Sequence, residues 1–276
     1  MDPGSRPSHP IDDAFGQAIS RTLSPCLVGL VSVVVDTKLA TLAATAESLA
    51  LPLVAWGVPL PNHLADAAPV RQASYVAGRL AARDALRKGG IGHKFPESCP
   101  HSHLPLWPEG VKGSLSHSQV ALDSTPNLIA LVAVAVVHQA PKEVDTRNST
   151  LLSLGVDVER IMDPQRAEKL VPRIAPHGLM PWTASASVAV RTTIEFSAKE
   201  AVFKAAHLWN GSAPGLSAIV FHDGQVAGQR DEALNGGVVM RGQMRATFGD
   251  GSCNSCAEVL YWVRPPFVWT AALLRS

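Results

Sequence analysis

Leu154-Gly155-Val156-Asp157-Val158-Glu159-Arg160 reads as a short strand that ends in acids. Side chains alternate with period two along a strand, so Asp157 and Glu159 lie on one face. Further on, Phe196-Ser197-Ala198-Lys199-Glu200-Ala201-Val202-Phe203-Lys204 reads as a helix. The i, i+4 spacing puts Glu200 and Lys204 on one face of it. Asp157, Glu159 and Glu200 can together hold a hard cation such as Mg2+, and lysines beside it can neutralise phosphate oxygens. These are the groups of a metal-assisted enzyme of phosphoryl-group chemistry.

Each stretch also has a plainer reading. Asp157 and Glu159 can be solvated acids at a strand end, with Glu159 paired to Arg160. Two acids on one strand face repel each other unless a cation or a basic group lies between them. Ser197-x-x-Glu200 is a capping box, with Ser197 as N-cap and Glu200 at N3. A helix that starts there would also turn its N-terminus towards a bound anion, with Lys199 and Lys204 reinforcing it. Lys204 can equally form an ordinary ion pair with Glu200.

Outward from these stretches, the pattern is mixed. Leu27–Val35, Leu128–Val137 and Leu151–Glu159 are β-branched, apolar runs and read as strands. Val70–Lys88 is Ala-rich and free of Pro, and reads as a helix ended by Gly89-Gly90. Ile91–Gly113 reads as a Pro/Gly/His loop and Gln139–Thr150 as a linker or hairpin loop. Asp163–Glu195 mixes a short helix, Gln165–Val171, with irregular sequence. A helix over Ser197–Trp209 ends before Asn210-Gly211, and strands follow at Leu216–His222, Gly237–Met240, Val259–Val263 and Phe267–Leu274. Asp36 precedes Arg79 by the same sequence distance as Asp157 precedes Glu200. The expected fold class is therefore α+β, with two pseudo-symmetric halves and a site in the cleft between them. Residues 1–13 read as a disordered arm, 14–145 as the N-terminal half and 146–276 as the C-terminal half.

Composition narrows the function classes. The chain has 276 residues, 46% hydrophobic and 17% charged, enough for a real core. Its net charge of +1 gives no global field towards nucleic acid or membrane, so any anion site is local. The polar, Pro-rich start has no signal-peptide pattern, and the longest apolar run is too short for a membrane span. Cys26, Cys99, Cys253 and Cys256 are too few for a disulfide scaffold, which suits a reduced, cytoplasmic protein; a monomer is expected. Cys253-x-x-Cys256 is a lone CxxC, and Cys99 with His101 and His103 makes a Cys/His cluster far from it in sequence, so zinc is not expected.

Two upstream features add chemistry. Gly113-Ser114-Leu115-Ser116-His117-Ser118 reads as a small-residue loop whose N–H, hydroxyl and imidazole groups can hold a phosphate; a turn with a structural His is the plainer reading. The helix with Arg71, Arg79, Arg83 and Arg87 has a cationic face, ordinarily solvated, backed by Ala77, Ala81 and Ala85. If its first half lines the cleft, Arg71 and Arg79 can clamp phosphates bidentately.

Taken in order, these motifs resemble the 4′-phosphopantetheinyl transferases, in the enterobactin-type branch that serves siderophore, nonribosomal peptide and polyketide synthases. That family's Gly-(Ile/Val)-Asp-x-Glu stands here as Gly155-Val156-Asp157-Val158-Glu159, and its (Phe/Trp)-Ser-x-Lys-Glu-(Ala/Ser)-x-x-Lys as Phe196 to Lys204. Its Gly-Ser-(Ile/Leu)-(Ser/Thr)-His stands as Gly113 to His117, and its Trp-Pro element as Trp107-Pro108. The resemblance runs from Val70 to Lys204. It implies Asp157, Glu159 and Glu200 as Mg2+ ligands and Lys199 and Lys204 as the pair at the coenzyme A pyrophosphate. It also implies Ser116 and His117 at the 3′-phosphate end, with Arg71 and Arg79 holding the nucleotide. The implied reaction moves phosphopantetheine from coenzyme A to a serine of an apo carrier protein and releases 3′,5′-ADP. Glu200 is the candidate base and Lys204 the group that stabilises developing charge. The resemblance places carrier docking after the metal-binding strand, where Arg166, Lys169 and Arg173, with Leu170, Leu179 and Met180, could meet an acidic helix. The chain departs from the pattern where His101 and His103 replace a basic stretch before Trp107, which makes a phosphate contact there pH-dependent. A metal-dependent nuclease and an inactive coenzyme A- or carrier-binding module are the alternatives. Net charge near zero speaks against the first and the complete acid set against the second.

Overall fold

A computed structural model describes residues 26–36, 41–44, 51–52, 57–101, 103–121, 128–139, 151–211, 214–227, 240–248 and 255–275. The elements run in chain order β1 (Cys26–Asp36), β2 (Thr41–Ala44), β3 (Leu51–Pro52), α1 (Pro69–Lys88), β4 (Glu97–Ser98), β5 (Pro105–Leu106), β6 (Val111–Ala121), β7 (Leu128–Gln139) and β8 (Leu151–Arg160). They continue with α2 (Pro164–Ile174), α3 (Val188–Asn210), β9 (Val220–Ala227), β10 (Met240–Phe248), β11 (Ser255–Arg264) and β12 (Phe267–Arg275). The class is α+β. One five-stranded antiparallel sheet has the order β3-β2-β1-β7-β6, and the other has the order β8-β12-β11-β10-β9.

Each sheet carries one long helix. On α1, small residues (Ala73, Ala77, Ala81, Ala85) make a fully buried stripe that lets the helix lie close on Leu131, Ala133, Ala135 and Val137 of β7. Pro69 starts this helix, where its missing N–H is no loss, and Gly90 at φ +65° follows its end, as the Gly89-Gly90 pair predicted. On the second sheet, Ile194, Ala198, Ala201, Val202 and Ala205 of α3 pack on Val259, Val268 and Ala272. The opposite face of β8 (Leu154, Val156, Val158) buries itself with Val132, Val134 and Val136 of β7, and with Trp269, Ala271 and Leu273 of β12. One apolar cluster thus runs from the first sheet to the second.

The strands at Leu128–Val137, Leu151–Glu159 and Phe267–Leu274 form where their apolar patterns placed them. Several expectations are corrected. Gly113 to Ser118 is not a loop but the middle of β6, paired residue by residue with β7. Ile91–Gly113 is not all loop, because β4 and β5 pair within it. Leu216–His222 is a 3-10 turn at Leu216–Ala218 followed by β9. The largest correction concerns α3, which begins at Val188, capped by Ser187, whose side chain accepts from Val190 N at 3.4 Å. Ser197 is therefore mid-helix and fully buried, not an N-cap, and the N-terminus of α3 does not lie at Ser197. Val188, Val190, Thr192, Thr193 and Ile194 disguise this start, because β-branched residues are weak helix formers; packing outweighs their propensity. The arm expected at 1–13, most of 139–150, 237–239 and Cys253 lie outside the described residues. Among the described residues, no helix is long and apolar enough to cross a membrane, and Cys99 and Cys256 form no disulfide.

Candidate active site

Asp157 lies at the meeting point of β6, β8 and α3. Its neighbour in sequence, Gly155, explains why the helix can come so close. A Cβ at Gly155 would lie 2.0 Å from Ala201 O and 2.7 Å from Ala205 N, both backbone atoms of α3. Only glycine permits this approach, so the glycine of the motif sets the helix depth rather than touching a ligand. At that depth, α3 presents Ser197 and Lys204 to Asp157. Ser197 Oγ donates to Asp157 Oδ2 at 2.8 Å. Lys204 Nζ donates to Asp157 Oδ1 at 2.6 Å, to Ser116 Oγ at 3.1 Å and to Val156 O at 3.2 Å.

The third wall is β6. Odd residues on it face α1: Leu115 packs by Gly78, and Trp107 lies where a Cβ at Gly113 would be, 2.4 Å from its ring. Even residues face β8. Ser114 Oγ accepts from Val156 N at 3.0 Å, Ser116 Oγ donates to Asp157 Oδ1 at 2.8 Å, and Ser118 Oγ accepts from Arg160 N at 3.0 Å. Three serines with period two thus join the edge strands of the two sheets. Thr270, opposite Asp157 on β12, donates from its hydroxyl to Ser197 O at 2.9 Å and fixes that serine.

Electrostatics single out the same place. Glu159 has its pKa pushed up to about 7, first by burial and then by the charge of Asp157, with Glu200 adding to it and Lys204 and Arg166 opposing. Burial raises Glu200 as well, with Lys204 opposing and Asp157 adding. Three acids thus share a partly buried neighbourhood with one lysine. Among the described residues, no three His, Cys, Asp or Glu side chains stand close enough to hold a metal ion as they are. The donor set nevertheless fits a hard cation: the donors are oxygens, and their repulsion is what a dication relieves.

The remaining candidates divide. His117 is solvent-accessible on β6, within the field of the site. Although its surface is accessible, crowding around the ring desolvates it and lowers its pKa, its own backbone hydrogen bond raises it, Lys204 lowers it, Asp157 raises it and Arg71 lowers it. Arg71 is exposed near the start of α1. Arg79 is buried, with Nη2 on Ser98 Oγ at 2.8 Å and its guanidinium over the Tyr75 ring at 4.6 Å. It holds the β4 hairpin against α1 instead of lining an open cleft. Lys199 is a clear departure from the expected pyrophosphate pair: it is buried, donates to Ile174 O, and pairs with Glu195 Oε1 at 3.5 Å. The alternative Lys204–Glu200 ion pair does not form; Lys204 contacts Asp157 instead. The rings of His103 and His63 lie tilted at 36°, with centroids 3.9 Å apart, and desolvation, then His103 and Arg71, lower the pKa of His63. Sequence reasoning placed Ser114 and Ser118 in a phosphate-holding loop instead of between two strands, and it missed Thr270. The alternating Ser-x-Ser-x-Ser was a legible signal for the first two, and nothing in the sequence marked Thr270.

Comparison with known proteins agrees with the motifs. Residues 60–122 match the family model described as the 4'-phosphopantetheinyl transferase N-terminal domain. The chain is 33% identical over 150 residues to enterobactin synthase component D of Salmonella typhi, covering 53% of each chain. It is 31% identical over 153 residues to the protein of that name from Escherichia coli O157:H7, covering 54% of this chain and 62% of the relative. The chain thus spans little more than half the length of these relatives.

Proposed function

We propose that this chain is a 4′-phosphopantetheinyl transferase that moves the phosphopantetheine of coenzyme A onto a serine of an apo carrier protein. The observation that carries it is the convergence on Asp157: Ser116 of one sheet, Ser197 and Lys204 of α3, and the elevated Glu159 and Glu200 beside them. The family match at residues 60–122 and the resemblance to enterobactin synthase component D support the same reading. The two halves, each a five-stranded sheet with one long helix, would be pseudo-repeats with coenzyme A at the seam between them.

Asp157, Glu159 and Glu200 would hold Mg2+, which supplies neutralising charge to the pyrophosphate. Lys204 already bridges Asp157 and Ser116, and its ammonium is placed to donate to phosphate oxygens as negative charge shifts to the leaving group. His117 and Arg71 stand on the side where the nucleotide end would lie. The carrier serine Oγ forms a bond to the β-phosphorus of coenzyme A, the P–O bond to 3′,5′-ADP breaks, and the serine proton leaves to Glu200. Burial raises the pKa of Glu200 in the metal-free site, and a water between Glu200 and the serine can relay the proton. Most of the rate comes from positioning and charge neutralisation. The exposed Arg166, Lys169 and Arg173 on α2 would receive an acidic carrier helix; Arg166 also acts on Glu159, which puts this surface next to the chemistry.

The test is release of 3′,5′-ADP from coenzyme A, measured by chromatography in the presence of Mg2+ and several apo carriers. Release that needs carrier and is lost in Glu200→Gln supports the reading. Release from no carrier, or an unimpaired Glu200→Gln, overturns it.

A further inference from the structure

One face of α3 carries Arg191, Glu195 and Lys199, one turn apart, on the side away from Asp157. All three point at the connection between α2 and α3. Lys199 Nζ donates to Ile174 O, a carbonyl of the last turn of α2. Such carbonyls have no partner within their own helix, and a cation there also meets the negative end of its dipole. Arg191 reaches the next stretch: its Nη2 donates to Leu179 O at 3.4 Å and Met180 O at 3.3 Å, and its Nε to Thr183 Oγ1 at 3.4 Å. Glu195 accepts from the Met180 backbone and pairs with Lys199. Burial pushes the pKa of Glu195 up and that of Lys199 down, the signature of two charges taken out of water. Glu195 Oε2 has no hydrogen-bond partner among the described residues. A buried pair of this kind adds little net stability. Its effect is to fix backbone carbonyls of a segment whose side chains Ile174, Met180 and Trp182 are already seated in apolar clusters.

We infer that Lys199 is a positioning residue for the carrier rather than a phosphate ligand: with Arg191 and Glu195 it fixes Ile174–Thr183, and thereby the angle at which α2 offers its basic side chains. This rests on the transferase reading for the carrier, but the clamp itself does not. The lysine of the Lys-Glu pair then serves one side of α3 while Glu200 and Lys204 serve the other. One helix would hold the reacting groups and the docking element in fixed relation.

The experiment compares the wild type with Lys199→Met and Arg191→Gln. Three quantities are read: KM for an apo carrier, Kd for coenzyme A by calorimetry, and amide exchange across 174–183. Loss of a charge-assisted hydrogen bond should speed exchange in that segment by about tenfold or more. The expected result is that rise, with carrier KM up by a similar factor and coenzyme A affinity within about twofold of wild type. A weakened coenzyme A affinity with unchanged exchange and carrier KM would overturn the inference and return Lys199 to the phosphates. Unchanged values for all three would overturn it as well. If Lys199→Met fails to fold, Arg191→Gln removes the clamp at Leu179 and Met180 without stranding a buried acid and gives the same reading. If the wild type transfers nothing to any carrier, the transferase reading fails, while amide exchange still decides whether the clamp exists.

Discussion

Asp157 is the residue on which the site turns. Its carboxylate accepts from two hydroxyls and one ammonium, and its side chain is 4% exposed. Lys204→Met would leave that charge facing only hydroxyls. Breaking a fully buried pair costs about 3–5 kcal/mol. The Lys204 side chain is 28% exposed, so water screens the loss, and about 2 kcal/mol is expected as a shift in the denaturant midpoint. Glu159 gives a pH dependence. Its folded pKa of about 7 lies above the ordinary 4.5, so its contribution to stability is complete below pH 4.5 and is lost as pH rises through 7. Without added divalent ion, stability should fall across that window by on the order of 2–3 kcal/mol, and Glu159→Gln should flatten the fall. Denaturation at a series of pH values checks both. At this scale the acids and Lys204 were legible because their types and spacing carry chemistry. The role of Ser197 was not: its spacing to Glu200 matches a helix cap, and only the fold shows that its hydroxyl faces Asp157.

Among the elements, α3 and β6 hold the lesson about local signals. The start of α3 was hidden by β-branched residues that read as irregular sequence, while a false start was advertised ten residues late by a capping-box pattern. Tertiary burial of Ile194 and Ala198 decides between them. β6 was hidden by its small residues, yet its alternation was visible: Gly113, Leu115 and His117 to one side, Ser114, Ser116 and Ser118 to the other. Where apolar residues dominate, as in α1, β7 and β12, sequence and structure agree within a residue or two. Gly155→Ala is the most pointed test at this scale. Its methyl would have to displace the backbone of α3, so a loss of about 3 kcal/mol is expected, the upper end of the overpacking range. The same change should pull Lys204 from Asp157 and abolish transfer, which thermal unfolding and ADP release would show together.

For the whole molecule, the seam between β6 and β8 is decisive, because Ser114, Ser116 and Ser118 join one sheet to the other across the site. The α+β class could be read from the strand and helix order. The seam itself joins residues distant in sequence, and no local pattern specifies it. A cation shared by acids on β8 and α3 should tighten this region. At a Mg2+ concentration a hundredfold above its dissociation constant, about 2.7 kcal/mol of added stability is expected, and it should vanish in Asp157→Asn. Calorimetric unfolding with and without Mg2+ reads it. The most direct measurement is the intact mass of an apo carrier protein after incubation with the chain, coenzyme A and Mg2+. The mass of one phosphopantetheine should be added, at the carrier serine, with the wild type and not with Glu200→Gln. Carriers that keep their apo mass with the wild type, across nonribosomal peptide, polyketide and fatty-acid types, would contradict it.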